Sequence, residues 1–411
     1  MCFDYIYISA SNSTDEFKAK ADYVCTGKND ELMIQKALDE CIKANKNLYF
    51  LNGKYCIDAL YDFGDGGPLT AICVGSAHRE IKIIGQNNEY PCQNIGNGVV
   101  LYVSKNALEN TQMDNADIIR SVWTCQGIQN GSSLRIENLT VILANSQHPV
   151  RCIDLRRTDR VEMKNVNLLS YGDAISGDAS VGLGTAPPIP AKGCIGLTMT
   201  DGSNYEYSYY TNVFALGFDE GIQVGGEHVV CISCGAAIGN YGFTFGNYPI
   251  SCGSNHPMTL INCLDERNVN LPYFGKWCGD GDGKGGRIIG NQEVELINFN
   301  MERIAAHTPG GKLGDLMKEE VPGSWCGSIR FTAQPAWCCI NSEDFKIWES
   351  DGSGSKIKTV NSCHKTVCTS AERLSYYPML GQEIFDTDLN KKLICINPDE
   401  KIWVDCMGNK A

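Results

Sequence analysis

The sequence predicts an all-β fold: a right-handed parallel β-helix, a solenoid, with an N-terminal capping helix and a small C-terminal β-hairpin module. Three observations predict it. A phrase of alternating apolar and polar residues, broken by one Asn, returns along the middle of the chain. Each copy is too short to bury its own apolar face, so neighbouring copies must supply the other wall of a core. The composition, with 43 Gly and only 20% charged residues, suits many turns and long strands and neither coiled coil nor disorder.

The phrase is clearest at Leu134-Arg-Ile136-Glu-Asn138-Leu139-Thr-Val141 and Val161-Glu-Met163-Lys-Asn165-Val166-Asn-Leu168. Looser copies place Asn212, Ser233 and Asn262 at the marked position, and Val294-Glu-Leu296-Ile-Asn298-Phe299 follows. The steps between marked residues are 27, 47, 21, 29 and 36. The marked Asn is expected at a strand-to-turn corner, its side chain serving backbone groups coil upon coil. Leucine-rich repeats have shorter, more regular periods and a Leu-dense phrase. A propeller needs about four strands per 40–45 residues, and a plain sandwich has no reason to repeat an Asn.

On these residues the chain resembles the pectate-lyase-like β-helix superfamily over about residues 20 to 350. That group includes polysaccharide lyases, glycoside hydrolases, fructotransferases and phage tailspikes. The resemblance implies an architecture, and from the superfamily a homotrimer, but not a reaction.

The net charge of −13 without basic clusters argues against nucleic acid and slightly against a polyanionic substrate, leaving neutral glycans open. No stretch of 18 apolar residues exists, so no membrane-spanning helix is expected. Met1-Cys2-Phe3-Asp4-Tyr5 has neither a basic n-region nor an apolar h-region, which predicts cytoplasmic synthesis and leaves the final location open, a virion-associated or released product included. The 21 cysteines are odd in number and scattered. They read as small buried hydrophobes of a protein made in a reducing compartment, Cys231-Ile-Ser-Cys234 included, because no second pair follows at zinc spacing.

In chain order, residues 1–56 form a lead-in and capping helix. Ile34, Ala37, Leu38, Cys41 and Ile42 lie at i, i+3, i+4, i+7 and i+8 behind an N-cap candidate, Asn29-Asp30. Leu48–Tyr55 supplies a strand and turn. The unit from Ala21 resembles the opening of many β-helix proteins, where the helix covers the first coil and its exposed edges. Residues 57–370 carry the repeats, beginning with Ile81–Ile84 and Val99–Val103 and ending with Ile329–Thr332 and Phe345–Trp348. They hold Gly-rich insertions at 173–193 and 271–291 that would build a binding wall. Residues 371–411 form the C-terminal module, in which Gly381–Lys391 and Lys401–Asp405 resemble a hairpin of phage and prophage tail-fibre proteins.

Candidate chemistry concentrates in two copies of the phrase. Asn262 is followed by Asp265, Glu266 and Arg267, and Asn298 by Glu302 and Arg303, so both place Glu at +4 and Arg at +5. Earlier copies hold Ile142 and Leu169 at +4, so the fold does not require an acid there. On adjacent coils the two acids would stack about 4.8 Å apart, and their repulsion would raise one pKa unless the arginines compensate. A neutral acid beside an ionised one suits glycosidic-bond chemistry. The plain alternative is a Glu/Arg ion-pair ladder. A second cluster comprises Asp219, Glu220, Glu227 and His228, with solvated turn residues as its alternative. His307 follows Glu302 by five residues, and Trp277 and Tyr273 offer faces on which a sugar would stack. No cofactor is required. Calcium is a candidate for a lyase, held by Asp280 and Asp282 or by Asp62 and Asp65, although the closing Glu of an EF-hand is missing.

The sequence therefore points first to a carbohydrate-active enzyme. It would cleave or rearrange glycosidic bonds of an oligo- or polysaccharide with Glu266, Glu302, Asp219, Glu227 and Asp265 as acids, and Arg267, Arg303, His228, His307, Trp277 and Tyr273 around the substrate. The alternative is a tailspike or tail-fibre protein that binds a surface glycan, with or without cleaving it.

Overall fold

The computed structural model describes residues 4–77, 79–88, 98–109, 116–122, 133–144, 149–170, 193–199, 208–225, 228–237, 241–245 and 257–267. Beyond these it describes the strands at 286–288, 293–297, 300–303, 317–319, 328–331, 344–350 and 355–361, and then residues 367–375, 381, 383–398 and 400–411. Strands dominate. Among the described residues they form an 18-stranded sheet, an 8-stranded sheet and a 4-stranded sheet.

The chain passes back and forth between the two large sheets. Ser133–Leu143, Arg160–Ser170 and Ser208–Leu216 lie in the first, while Val150–Asp154, Ile195–Thr198 and Glu220–Val224 lie in the second. Within each sheet these strands pair in parallel with the copies before and after them. Alternate residues of the first sheet (Leu134, Ile136, Val161 and Met163) meet Ile118, Cys152 and Ile222 of the second in one apolar core. That is the shared wall which copies too short to fold alone require.

The marked residues repeat as a structural position. Asn138, Asn165, Asn212, Ser233 and Asn262 all have φ between 52° and 57°. Asn tolerates this left-handed geometry better than most residues, which explains its recurrence. The side chains form a ladder: Asn212 donates to Asn165, Asn165 to Asn138, and Asn138 to the Gly85 carbonyl. At Gly85 a Cβ would stand 2.0 Å from the Asn138 carbonyl oxygen, so this row begins on the one residue without a side chain. Asn298 lies outside the described residues.

The closed right-handed β-helix is not what the structure contains, and the expected all-β solenoid is corrected here. Among the described residues the strands make long parallel sheets with helices interspersed, and no solenoid closes. The reason lies in the phrase itself. Period-two alternation around a left-handed Asn specifies strand direction, register and stacking. It contains nothing that specifies how one sheet joins the next into a tube. The end of the repeat region departs further. Ser328–Phe331 continues the parallel stack, but Asp344–Ser350 turns antiparallel against it and pairs antiparallel with Ser355–Asn361, so Phe345–Trp348 is not a final coil.

Among the described residues four helices accompany the strands: α1 (Asp15–Lys20), α2 (Asp30–Ala44), α3 (Lys105–Glu109) and α4 (Ser370–Ser375). Helix α2 buries Ile34, Ala37, Leu38 and Cys41 of the stripe predicted from spacing, while Ile42, the fifth, is half-buried against the core. Its start differs from the prediction. Asn29 is left-handed and its side chain makes no cap. Asp30 instead accepts from the backbone N–H groups of Thr26, Gly27 and Cys56, and Glu31 accepts from Asp58 N and the Tyr61 hydroxyl. These first-turn acids also suit the positive end of the helix.

The C-terminal region is a four-stranded sheet. Glu383–Asp386, Lys391–Asn397 and Ile402–Asp405 run antiparallel, and Val367–Cys368 pairs in parallel with the first of them. Ile384, Leu393, Cys395 and Trp403 fill a small core of their own.

Candidate active site

The parallel register brings the two Glu-Arg pairs together. Strand Leu264–Arg267 pairs with Asn300–Arg303 so that Glu266 stands opposite Glu302 and Arg267 opposite Arg303. Asp265 falls opposite Met301. The neighbouring strand continues the row through Ala237, Leu216, Leu169, Ile142 and Tyr102. Those five residues belong to an apolar cluster separate from the main core. One row of the first sheet is thus apolar for five strands and then acidic for two. Parallel neighbours are spaced about 4.8 Å apart, so the two acidic positions are as close as successive strands allow. Glu227, His307, Trp277 and Tyr273 lie outside the described residues, as do Asp280 and Asp282 of the Gly-rich insertion.

The second predicted cluster divides. His228 is half-buried with φ 53° just before strand Val229–Ile232. Asp219 is buried and accepts the Gly193 N–H at 2.8 Å. Glu220 is buried in the second sheet, where Gln223 Nε2 and Thr244 Oγ1 each donate to its Oε2 at 2.8 Å. These bonds satisfy buried carboxylates in place.

Buried charges also gather on and beside the second sheet, and apart from Asp65 no sequence pattern marked them. Arg120 is fully buried and forks onto Asp65, Nη1 to Oδ2 at 2.6 Å and Nη2 to Oδ1 at 2.7 Å, with its Nε on Thr70 Oγ1 at 2.6 Å. Asp65 is therefore engaged by a guanidinium, and the neighbouring Asp62 accepts the Gly64 N–H, which weighs against this Asp pair as calcium ligands. Among the described residues no group of three His, Cys, Asp or Glu side chains is arranged to hold a metal ion. Two further buried acids, Asp117 and Asp154, stand close to Arg151 and Arg156. A charge buried in a strand looks in sequence like a charge on its surface, which is why these were missed.

The described cysteines are free thiols, buried with the exceptions of Cys56 and Cys406. Cys231 and Cys234 sit in the core with Cys263; Cys234 Sγ bonds the Tyr210 carbonyl at 3.3 Å and Cys263 Sγ the Cys231 carbonyl at 3.6 Å.

No family model and no curated protein matches the chain. A similar solved structure is ORF18 of Geobacillus virus E2, at 9% identity and a TM-score of 0.32, over 92% of this chain and 82% of that one. At that score the likeness carries neither fold nor activity across. Among the described residues no helix is long and apolar enough to cross a membrane.

Proposed function

We propose that the chain is a carbohydrate-active enzyme that breaks or transfers glycosidic bonds of an oligo- or polysaccharide, with Glu266 and Glu302 as its acid pair. The register that sets Glu266 against Glu302 and Arg267 against Arg303 is the observation that supports this reading. Two carboxyls on neighbouring strands cannot both ionise without cost, so one is favoured as the protonated acid and the other as the charged partner. A strand spacing of about 4.8 Å is close to the roughly 5–5.5 Å that separates nucleophile and acid in retaining glycosidases. It leaves less room than the inverting arrangement needs for a water between them. Arg267 and Arg303 follow the acids directly on their strands, where successive residues alternate faces, so the register pairs the arginines with each other on the face opposite the acids.

The test is a glycan-degradation screen on wild type, Glu266→Gln and Glu302→Gln, following both new reducing ends and the absorbance of unsaturated uronates. Activity lost in either folded variant supports the proposal. Reducing ends without that absorbance mean hydrolysis or transfer, and with it elimination. Binding of glycans by wild type with no product formed would sink the acid-pair reading and leave a glycan-binding protein of the tail-fibre type.

A further inference from the structure

The second sheet contains an acid with no donor. Asp117, on strand Ala116–Ser121, is wholly buried, and neither of its carboxyl oxygens meets an N–H or O–H among the described residues. Arg151 Nη1 stands 3.9 Å from Asp117 Oδ1, near enough for attraction and too far for a hydrogen bond. Asp154, on the paired strand Val150–Asp154, is equally buried but well served. Arg156 reaches it with Nη2 to Oδ2 at 2.6 Å, Nε to Oδ1 at 2.9 Å and its backbone N–H to Oδ1 at 3.1 Å. The Asp117 and Asp154 carboxyls are within hydrogen-bonding reach of each other. Two carboxylates have no hydrogen to share, so the contact is a bond only if one acid keeps its proton. Arg156 holds Asp154 ionised, which places the proton on Asp117.

We propose that Asp117 and Asp154 share a single proton and that this proton is an alkaline-sensitive latch on the second sheet. With the proton present, Asp117 donates to Asp154 and the pair carries one charge, balanced by Arg156. Without it, two buried carboxylates crowd each other on neighbouring strands, whose register sets Asp117 opposite Arg151 and Asp154 opposite Arg120. The other groups in electrostatic range are Arg151 beside the pair, Arg120 on the strand of Asp117, Cys73 on the adjoining strand Leu69–Val74, and Glu220, which acts on Arg151. Burial, followed by the Asp154 charge, pushes the Asp117 pKa well above the carboxylate range. The folded chain then binds one more proton than the unfolded chain, from about pH 4 up to the folded pKa of Asp117. Stability falls as pH rises across that window, by about tenfold in the unfolding constant per pH unit for one proton.

The experiment uses the full chain. Urea unfolding of wild type and Asp117→Asn is followed from about pH 5 to about pH 9, upward from the unfolded carboxylate range. Asn keeps the donor and cannot ionise. The wild-type midpoint should fall with pH, and Asp117→Asn should flatten this fall and lie above wild type at the alkaline end. Equal slopes in the two proteins would overturn the proposal. Should the variant fail to fold, hydrogen exchange on wild type decides. Protection factors in Ala116–Ser121 and Val150–Asp154 that drop on alkalinisation while those in Arg160–Ser170 hold support the latch, and unchanged protection overturns it.

Discussion

Asn165 donates its side-chain amide to Asn138 Oδ1 at 3.0 Å, and each of the two residues holds the left-handed backbone of its own strand. The carboxamide thus has two tasks, tolerating positive φ and bonding the strand on either side. They separate by mutation. Asn165→Ala loses both, at about 2–3 kcal/mol, from about 1 kcal/mol of left-handed backbone penalty and about 1 kcal/mol for each hydrogen bond. Asn165→Gly loses only the bonds and should be about 1 kcal/mol less destabilising. Urea unfolding of the two variants checks the difference, and equal losses would mean that the backbone contributes nothing.

Much of this region was legible because left-handed backbone leaves a chemical trace. Few residues accept the geometry, so Asn138, Asn165, Asn212, Ser233 and Asn262 stand out against a background of ordinary β-formers. The same register carried the prediction that Glu266 meets Glu302. Helix α2 was legible from the spacing of its buried stripe, whereas its start was not, since Asp30 and Glu31 bond to segments far along the chain. The second sheet left little trace. Its strands are short, such as Ile195–Thr198, and their polar residues pair with partners as distant as the 55 residues between Asp65 and Arg120. Closure into a tube was read into the repeat, although nothing in the phrase encodes it.

The Arg120–Asp65 pair should be costly to break singly and far less so to remove whole. Side-chain exposure is 0% for Arg120 and 5% for Asp65, so neither charge can recover its hydration. Asp65→Ala should destabilise by about 3–5 kcal/mol by stranding a buried guanidinium. The double variant Asp65→Ala/Arg120→Met removes both charges and should recover a substantial part of that loss. A double-mutant cycle by urea unfolding measures the coupling, and strict additivity would show that the two residues act independently.

Thiol reactivity should divide the cysteines by burial. Cys406 is exposed, whereas burial pushes Cys41 and Cys73 up to about 12. Since the thiolate is the reactive form, these two should be inert at neutral pH in the folded chain. Titration with an aromatic disulfide reagent should lose one fast-reacting equivalent in Cys406→Ser and none in Cys41→Ser or Cys231→Ser. A fast equivalent lost from Cys231→Ser would show that the core around Cys234 and Cys263 opens readily.

Acid should loosen the C-terminal sheet through Asp386. Burial alone would raise this carboxyl, but the Leu389 N–H at 3.1 Å, the Ser370 hydroxyl at 2.9 Å and the Arg373 Nε at 2.8 Å outweigh it and hold the pKa below the ordinary carboxylate value. With the folded pKa depressed, the stabilisation is fully present above the unfolded value of about 3.9 and is lost as pH falls through the folded pKa. Asp386→Asn removes this acid dependence along with the charge-assisted bonds. The variant should be less stable than wild type at neutral pH, and the gap should narrow as pH falls below about 4. Hydrogen exchange in Glu383–Asp386 and Lys391–Asn397 reports on this sheet separately from the long ones. A gap that stays constant with pH would mean that Asp386 contributes through shape and neutral hydrogen bonding, and that the Arg373 charge is not what holds α4 against the sheet.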